Sequence, residues 1–265
     1  MPDASEPAVG RPGWADLVSP DVEAAKTFYC ELFGWYVYTL TVPDYTDYYV
    51  FTLGDVHGPE VAGMQMLTDE SEPASWTCDF CVENIDDTVH AAKAEGGQEL
   101  IPPTDYGGLG RMALCSDPLG ADFGLVRAGN YPLFGAVGEP ATVCWVELVS
   151  SDVGASRRFY ERVFGWRAVD REYLGVVDTV WEIGGEPIGG LARTDGASTS
   201  EPAAWIPHFQ VTDCDASTAR AVELGGTVLA PPSEARLGRR TMLADPTGAP
   251  LAIVEPATTG VSRSP

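Results

Sequence analysis

WADLVSPDVEAAKTFYCELFGW, residues 14–35, is answered by WVELVSSDVGASRRFYERVFGW, residues 145–166, with 12 of 22 positions identical at an offset of 131. Trp14 to Ser19 alternates as a half-buried strand does, and Asp21 is placed to cap a helix. Along that helix Ala24, Ala25, Phe28, Tyr29 and Phe33 recur at helical spacing, and Gly34 suits the left-handed position that ends it. Two further stretches answer each other. Glu72-Pro73-Ala74-Ser75-Trp76 matches Glu201-Pro202-Ala203-Ala204-Trp205, and Asp117-Pro118-Leu119-Gly120-Ala121 matches Asp245-Pro246-Thr247-Gly248-Ala249. One unit has been written twice, and the order strand, helix, several strands runs twice within each copy.

Outward from the repeat, strands are expected at Tyr48–Leu53, Trp76–Val82, Met112–Cys115 and Asp122–Val126, with a second helix over Asp86–Glu95 stopping at Gly96-Gly97. The second copy repeats this with helices at 152–164 and 215–224 and strands at 205–211, 240–244 and 250–254. The expected organisation is a disordered tail at 1–13, a domain at 14–128, a linker at 129–143, a domain at 144–256 and a disordered tail at 257–265. Such a chain of 265 residues is α+β, with 16 Lys and Arg against 39 Asp and Glu and a formal charge of −23. That excess of acid excludes a nucleic-acid phosphate groove and an anionic membrane as partners, both of which need basic patches. No apolar run of membrane-spanning length occurs, and the first residues lack the pattern of a signal peptide, so a soluble cytoplasmic protein with reduced cysteines is expected.

Asp21 with Phe28-Tyr29 and Gly34-Trp35, then Gly96-Gly97 and Asp117-Pro118-x-Gly120, together with their second-copy counterparts, resemble the vicinal oxygen chelate superfamily. That group includes glyoxalase I, bleomycin-resistance proteins and extradiol dioxygenases. The tandem form is similar to actinobacterial two-domain members labelled glyoxalase-like or hydroxylase, some of which lie among aromatic-polyketide biosynthesis or resistance proteins. The resemblance covers nearly the whole chain and implies four βαβββ modules forming two half-open β-barrel clefts. One fold of this kind hosts many chemistries, so function has to be argued from the cleft.

The resemblance also implies where a divalent metal would be held in catalytic members. Those places fall on Trp14, Thr77 and Gly124 in the first copy and Trp145, Ile206 and Ala252 in the second, with a fourth near Gln65 or Ala192. His and carboxylate are what such an ion requires, so no metal is expected in either cleft. No phosphate-binding or dinucleotide motif is present either, and no cofactor is expected.

Strand parity shows what stands there instead. Trp14 and Asp16 should line the first cleft with Asp79, and Trp145 and Glu147 the second with His208 and Gln210. Each candidate has two readings. Glu147 and His208 form either an acid–base pair, the carboxylate raising the imidazole pKa, or a solvated polar pair. Asp16 and Asp79 either share a proton or are ordinary wet-cleft acids. Trp14 and Trp145 stack on a planar ligand or belong to the core. Arg111 and Arg239, each preceded by glycine, grip a carboxylate or phenolate or brace acidic loops.

The leading expectation is a metal-free protein binding a planar aromatic small molecule, such as a polyketide-like natural product, in biosynthesis or self-resistance. The alternative is an enzyme of the superfamily, a hydroxylase, isomerase or lyase. It would be metal-independent with Glu147 and His208 as acid and base, or metal-dependent with unusual ligands. Four fused modules favour a monomer, a homodimer being the other arrangement.

Overall fold

A computed structural model of the chain describes residues 9–41, 46–69, 72–106, 110–127, 133–173, 175–194 and 202–257. The first domain runs β1 (Pro12–Ser19), α1 (Val22–Phe33), β2 (Tyr36–Leu40), β3 (Tyr48–Thr52) and β4 (Glu60–Met66). It then repeats that plan with β5 (Ser75–Cys81), α2 (Ile85–Ala94), β6 (Gln98–Asp105), β7 (Arg111–Ser116) and β8 (Asp122–Val126). The second domain follows suit with β9 (Val143–Ser150), α3 (Val153–Phe164), β10 (Arg167–Tyr173), β11 (Val176–Ile183) and β12 (Glu186–Arg193). Its second module is β13 (Ala204–Gln210), α4 (Cys214–Glu223), β14 (Thr227–Ala235), β15 (Gly238–Ala244) and β16 (Pro250–Pro256). Each domain makes one eight-stranded sheet, ordered β2-β3-β4-β1-β5-β8-β7-β6 and β10-β11-β12-β9-β13-β16-β15-β14. The four βαβββ modules are therefore present, and β1 with β5, or β9 with β13, forms the antiparallel seam about which each domain is symmetric.

Local chemistry fixes the repeated corners. Asp21 and Asp152 accept from the amides of Ala24 and Ala155, and Gly34 and Gly165 close the same helices at φ 70° and 69°. Asp117 Oδ1 accepts from the amides of Leu119 and Ala121, and Asp245 Oδ1 from those of Thr247 and Ala249, so one carboxylate holds each Asp-Pro turn.

The two sheets face one another with their helix sides inward and their clefts outward. Trp76 and Phe80, on the helix side of β5, meet Phe209 and Trp205 of β13 at ring separations of 5.4 and 5.0 Å. Tyr29 explains the Phe-Tyr pair of α1: its hydroxyl accepts from Trp76 Nε1 at 2.9 Å and donates across the boundary to Asp245 Oδ2 at 3.0 Å. Trp35 Nε1 donates to Ala141 O and Trp166 Nε1 to Gly10 O, so each domain also holds the chain segment leading into its neighbour. Parts of the expected N-terminal tail and linker are held against the domains. Gly10 N bonds Cys81 O and β1 begins at Pro12, while in the expected linker Phe134 is buried against Trp14. Residues 1–8, 129–132 and 258–265 of the expected tails and linker lie outside the described residues. Among the described residues no helix is long and apolar enough to cross a membrane.

Candidate functional site: two clefts, one filled and one open

In the β1–β5 register Trp14 lies opposite Asp79 and Asp16 opposite Thr77. In β9–β13 Trp145 lies opposite His208 and Glu147 opposite Ile206. Asp16 and Asp79, and likewise Glu147 and His208, are thus the symmetry-related central pairs on the two cleft faces, as parity required.

The first pair is sealed in. Trp14 is fully buried and its Nε1 donates to Tyr48 Oη at 2.8 Å and to Asp16 Oδ1 at 3.3 Å, while the Tyr48 hydroxyl donates to the same Asp16 oxygen. Asp79 is buried, and its Oδ2 has no partner. Burial pushes Asp16 up to about 6 against the help of Tyr48 and Trp14, and burial followed by the charge of Asp16 pushes Asp79 well above the carboxylate range. Both shifts run toward the protonated form, burial being the larger cause in each. Two glycines give them room. A Cβ on Gly63 would stand 1.8 Å from Tyr48 Oη and 2.1 Å from Asp16 Oδ1, and one on Gly124 would stand 1.9 Å from Asp79 Oδ1. Trp14 has no face left for a ligand.

The second pair borders open space. A cavity of about 160 Å³ is walled by Trp145, Tyr173, Leu191 and Leu237, with Glu147, Asp178, Glu234, Arg236 and Arg240 as its charged lining. Arg240 Nη1 donates to Glu147 Oε2 at 2.8 Å, and His208 Nε2 lies 3.8 Å from the same oxygen. His208 is fully buried behind this wall, with neither ring nitrogen hydrogen-bonded. The carboxylate acts to raise its pKa as the sequence suggested, but the net shift is downward. Burial pulls it down to about 4, the charges of Arg240 and Arg236 add to that, and Glu147 opposes without prevailing. The imidazole is neutral near neutral pH. Trp145 is 6% exposed and Arg236 lies over its ring, Cζ 4.8 Å from the centroid, so the indole face is covered by a guanidinium.

Two expectations are corrected. Arg111 and Arg239 do not point into the clefts. Arg111 pairs with Asp86 and Asp105 at 3.0 Å, and Arg239 with Asp215 at 2.7 Å, each gripping the first turn of a helix on the far side of its sheet. Alternation along β15 turns Arg240 into the cleft and Arg239 away from it. Gln210 is half-buried at the end of β13, its backbone N–H donating to Thr142 O, and it does not line the cavity. The run Tyr45, Tyr48, Tyr49 suggests an aromatic wall in the first cleft; Tyr45 lies outside the described residues, and Tyr48 reaches Asp16 and Trp14 there. Sequence reasoning missed Tyr173, Arg236 and Arg240 in the second. The run Arg236-Leu237-Gly238-Arg239-Arg240 was the available signal.

Neither donor set fits a divalent metal. In the second cleft Glu147 and His208 are the central donors, Arg240 already holds the Glu147 carboxylate, the rim carboxylates Asp178 and Glu234 face Arg236 and Arg239, and Ala252 stands beside His208 where a third donor would be needed. In the first, the two acids are turned to Tyr48, Trp14 and one another, with Gly124 beside Asp79. Among the described residues no three His, Cys, Asp or Glu side chains gather to hold an ion.

Comparison with known proteins agrees with this architecture. Residues 11–125 match the family described as Glyoxalase/Bleomycin resistance protein/Dioxygenase superfamily, and residues 145–254 match the glyoxalase-like domain. The anthracycline biosynthesis protein DnrV of Streptomyces peucetius is 38% identical over 259 residues, 94% of each chain. Among solved structures, an extradiol ring-cleaving dioxygenase from B. fuscum superposes with a TM-score of 0.63 at 18% identity, covering all of this chain and 76% of that one. A mutant of 4-hydroxymandelate synthase from Streptomyces coelicolor gives 0.58 at 15%, covering 95% and 94%. At those identities the two structures attest the fold alone.

Proposed function

This chain belongs to the glyoxalase/bleomycin resistance protein/dioxygenase superfamily, and on that footing we propose that its second domain binds one ring of a planar aromatic small molecule, in the biosynthesis of an aromatic natural product or in self-protection against it. The observation that carries this is the cavity beside Glu147. At about 160 Å³ it matches the apolar cavity of roughly 150 Å³ that accepts benzene and falls short of the roughly 300 Å³ at which drug-sized pockets begin. A fused-ring compound, of the kind for which the Streptomyces peucetius relative is named, would seat one ring and leave the others outside. The reading needs no metal. It takes the protein as a cytoplasmic monomer, since the domains already cover each other's helix faces.

Titration with a hydroxyanthraquinone, followed by ligand absorbance and tryptophan fluorescence, tests it. One saturable site per chain is expected, abolished in Ala235→Trp, which puts an indole on the cavity wall. Absence of saturation, or unchanged binding in that variant, refutes the reading.

One observation favours the enzymatic alternative: Glu147 faces the cavity with a neutral imidazole 3.8 Å behind it. Because His208 does not reach the cavity, it would act only through Glu147. His208→Gln separates the two: an acid–base enzyme loses turnover with binding intact, whereas a binding protein has no turnover to lose.

A further inference from the structure

We propose that the cavity selects a ring bearing an ionised oxygen, a phenolate, enolate or carboxylate, and that Arg236 is the anion's partner; this rests on the reading that the cavity takes a ring. The cations and anions around the second cleft are unevenly satisfied. Arg240 is bonded to Glu147 at 2.8 Å, Arg239 to Asp215 at 2.7 Å, and Arg171 and Arg167 both to Glu182. Glu234, on the cavity rim, lies 3.4 Å from Arg239 and leans that way. Arg236 is the exception. Its nearest carboxylate contact among the described residues is Asp178, 4.0 Å from Nε, beyond hydrogen-bond reach.

Its surroundings make that shortfall matter. The Arg236 side chain is 24% exposed, lies over Trp145 and lines the cavity. Burial and the charges of Arg171 and Arg240 work against its cation, with Asp178 and Glu147 opposing. A guanidinium offers five donors in a flat fork, and stacking on an indole fixes its plane without using any of them. An oxygen anion conjugated to a ring fits such a group twice over: the anion takes the donors, and the ring occupies the apolar wall of Leu191 and Leu237. A neutral ring gains only the second. The chain's charge of −23 repels anions at long range, so a preference for an anion here has to come from a local cation.

Equilibrium titrations of the full chain near neutral pH and physiological salt compare anthraquinone-2-carboxylate with its carboxamide, which has nearly the same shape and no charge. The carboxylate should bind about tenfold or more tighter, the scale of one charge-assisted hydrogen bond. Arg236→Gln should erase that gap by weakening the carboxylate and leaving the amide unchanged. Arg111→Gln, which removes an equal charge from the far side of the first sheet, should preserve it. Equal affinities in the parent chain, or a gap that survives Arg236→Gln, overturn the anion assignment while the ring-binding reading stands. Binding of neither probe removes both.

Discussion

Gly124 and Ala252 occupy the same place in the two domains, beside Asp79 on one cleft face and His208 on the other. Around them the clefts differ in which side chains fill the centre. By register from Gly63 and Gly190, Tyr48 of the first domain corresponds to Asp178 of the second, and Met112 corresponds to Arg240. Where the first domain has a phenol reaching down to the central acid, the second has a short carboxylate on the rim of a cavity. One cleft is filled at its centre and the other holds a space with charges on its walls. A shared fold constrains the strands and says little about which cleft stays open.

The sharpest way to break this comparison is to give the first domain the residue that the second already carries. Gly124→Ala drives a methyl to 1.9 Å from Asp79 Oδ1, in a core where the acid has nowhere to retreat. The expected cost is about 3 kcal/mol, at the upper end of overpacking penalties, read as a lowered denaturant midpoint. Tolerance of the methyl would show that the first cleft is looser than its packing implies.

The central pairs should also tilt stability with pH in opposite directions. Asp16, at about 6 folded against 3.8 unfolded, holds a proton in the native chain that the unfolded chain has lost. Its contribution therefore falls as pH rises across that window, and Asp79 extends the fall upward. His208, at about 4 against 6.5, is the reverse: between those values the unfolded chain binds a proton the native chain refuses, so stability falls as pH falls. At 1.36 kcal/mol per unit each tilt is on the order of 3 kcal/mol, and in the parent chain they offset one another between about 4 and 6. Substitution exposes them. Asp16→Asn with Asp79→Asn should gain stability above pH 6 and little below 4. His208→Met should gain at the acid end and nothing at neutrality. Denaturation across that range checks both, and parallel curves for parent and variants would mean that neither pair is as dry as it looks.

What was legible in the sequence and what was not divides along the same physical line. Asp21, Gly34 and the Asp117 turn act on backbone groups within a few residues, so spacing alone placed them. The central pairs could be read because alternation within a single strand fixes a face. Arg236 and Asp178 reach the clefts through hairpins whose pairing is set by register and bulges, such as the shifts along β14 and β15, and a slip of one residue reverses a side chain's face. Arg239 was chosen over Arg240 by analogy with Arg111, and the analogy held: both brace a helix. The sign of the His208 shift depended on burial beneath groups from other strands, which no local pattern reports.

Asp178→Tyr, the smallest expected perturbation of stability, carries the comparison furthest. It writes the first domain's phenol at the corresponding place in the second, at a rim side chain 42% exposed, so its cost should stay within about 0.5 kcal/mol. Its effect on binding should be large, because a phenol there stands where the ring of a ligand would enter. Loss of ligand with little change in midpoint would mean that one side chain separates a filled cleft from an open one. Retained binding would place the entrance on the Tyr173 side, and the difference between the clefts would then rest on Arg240 against Met112.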